Sequence, residues 1–236
     1  MNKNNAAILL FSRTATAEAA AKPLAIGKRS AELVALFMVN HVKKLAIKSQ
    51  LPVFFFSEKQ QRGASFGERF ANAFDDVFAQ GYEQVIAIGN DCLSVSTADI
   101  LAAANVLKTP LSSNSRDVSA VLGSTTDGGA YLIGFQREVF QKEAFQNIHW
   151  QTESVFDELV LFVENQRFNT CFLSQKSDID HVSDWKQVLE TFPISLKKSL
   201  LQLLYFRLPI LSAKDIFPIN FSFLKGAIAL RAPPCF

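Results

Sequence analysis

Short apolar runs alternate with amphipathic stretches in the first part of the chain, and this alternation constrains the fold more than any other feature. The runs cover residues 6–11, 53–56 and 85–89, and each is bounded by polar residues. Such runs are typical of strands that are buried on both faces of a parallel sheet. Between them, residues 33–45 and 66–78 place apolar side chains at helical spacing. Because this order implies right-handed parallel crossovers, we predict a three-layer α/β/α fold with a mostly parallel, Rossmann-like central sheet.

The remaining elements are predicted from shorter patterns. We interpret the segment between the first strand and the first helix as a loop that runs through Pro23 and Gly27. After the third strand the pattern predicts a helix from Ser96 or Thr97 through Leu107, strands over 118–122 and 130–135, a helix over 153–165, a strand over 168–174 and a short helix from Ser183.

The composition changes near residue 190, so we predict one domain over 1–190 and a C-terminal extension over 191–236. From Pro193 onward the chain is apolar with scattered lysine and arginine residues, and Asp215 is the one acidic side chain. We expect the extension to pack on the domain or on a second subunit of a homo-oligomer. Docking to an anionic membrane surface is the alternative, and the basic spacing alone does not decide between them.

Charge and cysteine content exclude several classes of protein. The formal net charge is +2, from 24 basic and 22 acidic side chains, which supplies no dominant field for binding nucleic acid. Cys92, Cys171 and Cys235 lack the paired spacings of zinc sites or of a disulfide framework, which favours a reducing compartment. We see no signal peptide and no apolar run near the ~20 residues that cross a bilayer. We therefore expect a cytoplasmic protein without a transmembrane segment.

Three aspartates lie at the ends of predicted strands, where ligands of open α/β sheets bind. Asp91 follows the third strand and could bind Mg²⁺ or Mn²⁺ or, equally well, cap the next turn. Asp180 follows the last core strand and could be a second metal ligand, while Asp178 or Asp180 could instead cap the following helix. Asp127 precedes two glycines and could act as a base, but an ordinary hairpin turn is the first interpretation.

The start of the second predicted helix is a candidate phosphate site. Backbone amides near Gly63 and Gly67 could receive phosphate, and Arg69 could add positive charge. A structural role fits the same segment, since Ser65 and Glu68 have the spacing of a capping box and Arg69 suits a solvated face. The histidines lack a nucleophile at diagnostic spacing, so a hydrolytic triad is not supported.

Six segments of the chain occur in a specific order: AILLFSR, GASFGERFANAF, VIAIGNDC, VLGSTTDGGAYLIGF, the turn HWQT, and DIDHVSDW. Together they resemble the bacterial glycosyltransferase-like proteins of the GT-A, or nucleotide-diphospho-sugar transferase, fold, most of whose members are uncharacterised. The resemblance covers residues 6–190. The ordered set is far more specific than any one of its members.

The resemblance implies a metal-dependent transferase that moves a sugar from a nucleotide-activated donor to a small-molecule acceptor. Asp91 would be the metal ligand, with Asp180 as a second, and Asp127 would lie toward the acceptor. The metal, Mg²⁺ or Mn²⁺, would neutralise the diphosphate leaving group. The nucleotide sugar or nucleoside triphosphate would be bound by Arg13, Lys22, Gly63, Gly67, Arg69 and Asn90.

Two departures from the family pattern keep other functions open. The Gly-rich basic loop after the first strand is replaced by a segment in which Arg13 and Lys22 are left to meet phosphate. After Asp91 the family tends to continue with proline and a second acid, whereas here Leu93 and Ser94 follow, so another metal ligand has to come from elsewhere. The alternatives are a nucleotidyltransferase, which joins a nucleoside triphosphate to a phosphorylated small molecule, and a degenerate module that only binds.

Overall fold

A single mixed sheet organises the chain. The computed structural model describes residues 5–25, 27–108 and 118–185, and these contain strands β1 (Ala6–Phe11), β2 (Val53–Phe56), β3 (Gln84–Ile88), β4 (Val118–Thr125), β5 (Ala130–Gln136) and β6 (Asn169–Lys176). Their order in the sheet is β2-β1-β3-β5-β4-β6. β5 is antiparallel to β3 and β4, while the other three neighbouring pairs are parallel. The predicted mostly parallel sheet is therefore confirmed.

Helices flank this sheet in the described part of the chain. They are α1 (Ala15–Ala21), α2 (Lys28–Lys48), α3 (Phe66–Ala79), α4 (Thr97–Leu107), α5 (Lys142–Gln146) and α6 (Val155–Glu164). α1 replaces part of the predicted loop before Gly27. Its alanine-rich sequence has high helix propensity, and the Thr14 side chain accepts a hydrogen bond from the Ala17 backbone at its first turn. The loop prediction was wrong here because the segment is too short and too uniform to show an amphipathic period.

The two faces of the sheet have different cores. Along β1, Ala7 and Leu9 pack into an aromatic cluster with α3, α5 and α6, whereas Ile8 and Leu10 pack into an aliphatic cluster with α2 and α4. The aromatic cluster includes Phe70, Phe74, Phe78, Phe135, Phe145 and Phe162. Alternate residues of one strand thus serve both clusters, which confirms the predicted burial on both faces.

A third cluster fixes the segment after β6 against the start of α2. Trp185 is fully buried, and its indole Nε1 donates a hydrogen bond to the Leu24 carbonyl at 3.0 Å. Ile179 is also fully buried in this cluster. Because the two residues lie on either side of Asp180, their packing holds that aspartate near the carboxyl edge of the sheet.

Several predicted boundaries change. β4 extends to Thr125. A 3₁₀ turn at Val182–Asp184 leads into a helical Trp185, and the remainder of the short helix predicted from Ser183 lies outside the described residues. The predicted extension over 191–236 lies outside the described residues. In the part of the chain that the structure describes, no helix combines the length and the apolar character needed to cross a membrane.

Candidate functional site

A large cavity opens at the carboxyl edge of the sheet. It has a volume of about 1020 Å³ and lies where β1 and β3 end, where β5 begins, and where the chain leaves β6. Most of the predicted site residues line it together: Arg13, Lys22, Arg69, Asn90, Asp91, Asp127 and Asp180. Gly63 and Gly67 are not among its lining residues. The structure therefore brings together the charged candidates and leaves the two glycines outside.

Lys22 is the centre of the polar network in this cavity. Its ammonium nitrogen lies 3.0 Å from Asp91 Oδ2, 2.7 Å from Asp180 Oδ1 and 3.3 Å from Glu18 Oε1. The Ile179 backbone N–H donates a hydrogen bond to the Asp91 carbonyl at 3.1 Å, which ties the segment of Asp180 to the end of β3. Two carboxylates from distant parts of the sequence thereby face one cation.

The charges in this network support one another. Burial alone would lower the pKa of Lys22, but the charges of Asp91 and Glu18 and the hydrogen bond to Asp180 outweigh it and raise the pKa well above the usual range. Burial opposes ionisation of Asp91, yet the charge and hydrogen bond of Lys22 hold the pKa of Asp91 below its ordinary value. Lys22 is therefore a permanent cation, and Asp91 is a permanent anion near neutral pH.

Glu18 is a site residue that the sequence analysis missed. It is 2% exposed, and besides Lys22 it pairs with Arg13, whose Nη1 lies 3.5 Å from Glu18 Oε2. The spacing of Glu18 and Lys22, four residues apart on one helix, was a usable signal, but only if α1 had been predicted. The pairing orients both basic side chains that follow β1.

Asp178 also lines the cavity and was interpreted from sequence only as a helix cap. Its Oδ1 atom is buried and has no hydrogen-bond partner among the described residues. Burial, together with the charges of Asp91, Asp127 and Asp180, raises the pKa of Asp178 to about 8. The cluster is thus more acidic than Lys22 alone neutralises, and Asp178 binds a proton at neutral pH.

Asn90 presents a second unsatisfied group. It lines the cavity, is 4% exposed, and its Nδ2 has no hydrogen-bond partner among the described residues. A buried amide donor without an acceptor costs free energy, and such groups in folded proteins call for an explanation such as a ligand or water. Asn90 therefore fits its predicted place in a binding site.

Asp127 lies in the tight turn between β4 and β5. Its Oδ1 accepts hydrogen bonds from the Thr125 hydroxyl at 2.5 Å and from the Gly129 backbone at 3.2 Å. The turn packs closely on the chain before α6, since a Cβ atom on Gly128 would lie 2.0 Å from the Glu153 carbonyl oxygen. Asp127 thus has the predicted turn geometry and also faces the cavity.

The start of α3 has a structural role. Ser65 and Glu68 form a complete capping box, with each side chain accepting a hydrogen bond from the other's backbone N–H. Gly67 packs so closely on α5 that a Cβ atom would lie 2.1 Å from the Gln146 carbonyl oxygen. The amides that could receive phosphate are therefore partly occupied by the protein itself, and Arg69 alone of this segment's candidates reaches the cavity.

An aromatic wall closes the cavity on the side of α3. Trp150 lines it together with Phe66 and Phe70, with ring centroids 5.5 and 5.2 Å from those of the two phenylalanines. The Trp150 Nε1 donates to the Phe145 carbonyl at 3.0 Å, so its polar atom is used inside the protein. Gln151, the next residue, also lines the cavity and has a left-handed backbone with φ of 67°.

The site can be tested for its fit to a divalent metal. No three His, Cys, Asp or Glu side chains are grouped to hold a metal ion within residues 5–25, 27–108 and 118–185. Mg²⁺, however, commonly uses one or two protein carboxylates and completes its shell with water and substrate phosphates. Asp91 and Asp180 supply suitable oxygen atoms and already flank one cation, the Lys22 ammonium. The residues fit a divalent cation that takes the place of that ammonium.

Comparison with known proteins places the chain in a family. Residues 24–152 match the model of the family described as "Uncharacterized protein conserved in bacteria (DUF2064)", and the chain belongs to this family. No curated protein shows significant sequence similarity to it.

One solved structure supports the fold, and two others show a weaker likeness. A proposed nucleotide-diphospho-sugar transferase from Desulfovibrio desulfuricans G20 is 21% identical, with a TM-score of 0.72 over 84% of this chain and 94% of that one. CMP:2-keto-3-deoxy-manno-octonic acid synthetase complexed with CTP is 12% identical, with a TM-score of 0.48 over 78% and 96%. The manganese complex of Rv0371C from Mycobacterium tuberculosis H37Rv is 13% identical, with a TM-score of 0.44 over 79% and 98%. Since the last two scores are below 0.5, the fold likeness rests on the Desulfovibrio structure, and it confirms the predicted nucleotide-diphospho-sugar transferase type of fold.

Proposed function

We propose that the protein is a transferase that uses a nucleotide-activated donor, most simply a nucleotide sugar, and binds it in the cavity at the carboxyl edge of the sheet. The observation that carries this proposal is the convergence of Arg13, Lys22 and Arg69 with Asp91 and Asp180 in one cavity of about 1020 Å³. Basic side chains suit the diphosphate of the donor. The volume of the cavity suits a small-molecule ligand such as a nucleotide sugar.

The basic residues would neutralise the leaving group. Bond cleavage at a nucleotide sugar leaves a nucleoside diphosphate, so negative charge develops on its phosphate oxygens as the sugar departs. Arg13 and Lys22 follow β1 and are held by Glu18, which keeps both cations at the cavity. A divalent metal held by Asp91 and Asp180 would supply further neutralisation when bound.

Asp127 is the proposed acceptor-side residue. Its carboxylate is fixed by Thr125 and Gly129 at the amino end of β5, at the same edge of the sheet as the strand ends that carry Arg13 and Asp91. A carboxylate in that place can accept the proton of an acceptor hydroxyl as the sugar is transferred. The unpartnered Nδ2 of Asn90 is a donor for a nucleotide oxygen.

A thermal-shift screen tests the proposal. The protein is heated with UDP-, GDP-, CDP- and ADP-sugars and with nucleoside triphosphates, each with Mn²⁺, with Mg²⁺ or with a chelator. A ligand at about 100 times its dissociation constant stabilises the folded state by about 2.7 kcal/mol. Stabilisation by sugar nucleotides of one base supports the glycosyl donor, stabilisation by a triphosphate alone favours nucleotidyl transfer, and no stabilisation by any of them contradicts both.

The variant Asp91→Asn locates the binding site. We expect it to lose the metal-dependent part of the stabilisation, because the strand-end carboxylate is removed from the cavity. Asp76→Asn is the matched control, since Asp76 pairs with Arg62 through a 2.6 Å contact and does not line the cavity. An unchanged metal-dependent shift in Asp91→Asn would show that Asp91 does not hold the metal.

A further inference from the structure

Lys22 occupies the place that a metal ion would need. Its ammonium nitrogen is 3.0 Å from Asp91 Oδ2 and 2.7 Å from Asp180 Oδ1, so the two predicted metal ligands are joined by a side chain of the same protein. The Lys22 side chain is only 18% exposed, and those of Asp91 and Asp180 are 31% and 41% exposed. A metal that binds both carboxylates has to displace the ammonium.

We propose that Lys22 is a tethered counter-ion that competes with a divalent cation for Asp91 and Asp180. The inference rests on the proposed function only in placing a metal at these carboxylates. Since the ammonium is attached to the chain, its local concentration at the two aspartates does not depend on the solution. Free metal binds only the fraction of molecules in which Lys22 has moved away, so the apparent affinity is reduced by that fraction.

The surrounding contacts allow Lys22 to leave. Its third partner, Glu18, would keep Arg13, whose Nη1 lies 3.5 Å from Glu18 Oε2, so no buried carboxylate is left alone. Lys22 directly follows the last residue of α1, and its backbone is extended rather than helical. The side chain can therefore swing without unwinding the helix. A displaced ammonium remains at the cavity, where a donor diphosphate would offer it a new anionic partner.

Metal-binding measurements on the full chain without nucleotide test the competition. Mn²⁺ is titrated into metal-free protein, and free Mn²⁺ is followed by electron paramagnetic resonance. We expect Lys22→Met to raise the Mn²⁺ affinity at least about tenfold, because the competing charge is gone. Lys22→Arg keeps a cation there and should bind Mn²⁺ no more tightly than the wild type. The double variant Lys22→Met with Asp91→Asn should lose the gain.

Lys176 provides the matched control. Its ammonium is 3.2 Å from Asp99 Oδ2, and its side chain is 15% exposed, close to the value for Lys22, but it does not line the cavity. Lys176→Met should bind Mn²⁺ as the wild type does. An equal gain in Lys176→Met, or no gain in a folded Lys22→Met, overturns the proposal. Neither result bears on nucleotide binding, because no nucleotide is present.

A measurement on the wild type covers the case in which Lys22→Met does not fold. The protein is treated briefly with acetic anhydride, with and without saturating Mn²⁺, and acetylation of each lysine is quantified by mass spectrometry. We expect acetylation of Lys22 to rise severalfold with Mn²⁺ while that of Lys176 stays constant. Equal Lys22 acetylation in both samples contradicts displacement by the metal.

Discussion

Two helices begin beside the cavity, α1 at Ala15 and α3 at Phe66. The sequence suggests a phosphate contact at the start of α3, and the family resemblance implies one for Arg13 and Lys22, which flank α1. In the structure, the segment around α1 contributes charged side chains, Arg13 at its start and Lys22 at its end. The start of α3 is closed by its own capping box, and Gly67 packs against Gln146. A helix start whose donors are already satisfied serves stability, whereas charged side chains held by a buried partner remain available for a ligand.

Of the variants at the start of α3, Gly67→Ala is expected to lose the most stability, and it tests whether this helix start serves the fold or the ligand. In Gly67→Ala the new Cβ would lie 2.1 Å from the Gln146 carbonyl oxygen and 2.8 Å from Trp150 Cδ1. We expect the free energy of unfolding to fall by about 1–3 kcal/mol, as overpacking usually costs. Urea denaturation measures this loss. If instead stability is unchanged and nucleotide binding is lost, Gly67 serves the ligand and the comparison fails.

The capping box gives the next largest effect. Ser65→Ala should lower the free energy of unfolding by about 0.5–2 kcal/mol, since the Glu68 backbone N–H loses its acceptor. Ser96→Ala is the matched control, because Ser96 forms the same motif with Asp99 at the start of α4. Denaturation curves should give similar losses for the two variants, with nucleotide affinity unchanged in both. A selective loss of nucleotide affinity in Ser65→Ala would contradict a purely structural role.

A pH-dependent effect tests the electrostatic side of the comparison. The pKa of Asp178 is about 8 in the folded protein against an ordinary value of 3.8, so between these pH values the folded state binds a proton that the unfolded chain releases. Stability from this group is therefore full below pH ~4 and is lost as pH rises toward ~8. Asp178→Asn should remove this decrease in the free energy of unfolding with rising pH.

Melting temperatures in the presence of a chelator measure the pH effect. Wild type and Asp178→Asn should diverge as pH rises from 5 to 8, with the variant relatively more stable at the upper end. Asp76→Asn should keep the wild-type pH dependence, because Asp76 pairs with Arg62 outside the acidic cluster. Parallel curves for the wild type and Asp178→Asn would show that Asp178 is ionised in the folded protein.

Much of the fold could be predicted because local pattern determines it. The apolar runs that became β1, β2 and β3 are visible in one sequence, and the positions of Asp91 and Asp127 at strand ends follow from them. The antiparallel direction of β5 follows less directly, from the tight turn after β4. These features depend on short-range chemistry, which a single sequence contains.

The interactions inside the site could not be predicted in the same way. Lys22 and Asp91 are 69 residues apart, and nothing in the spacing shows that they meet. The raised pKa of Asp178 depends on burial and on carboxylates from three segments of the chain. Gly67 looks like a phosphate-loop glycine until α5 is placed against it. Each of these properties arises only when distant segments pack together.

The most direct test of the central claim is nucleotide binding by Arg13→Met. Isothermal titration calorimetry with the nucleotide selected by the thermal-shift screen gives the affinity of the wild type, of Arg13→Met and of the control Arg62→Met, whose arginine pairs with Asp76 and does not line the cavity. A charge-assisted hydrogen bond contributes about 1.5–3 kcal/mol, so Arg13→Met should weaken binding by about tenfold or more. Wild-type affinity in Arg13→Met, or an equal loss in Arg62→Met, would contradict a nucleotide site at the end of β1.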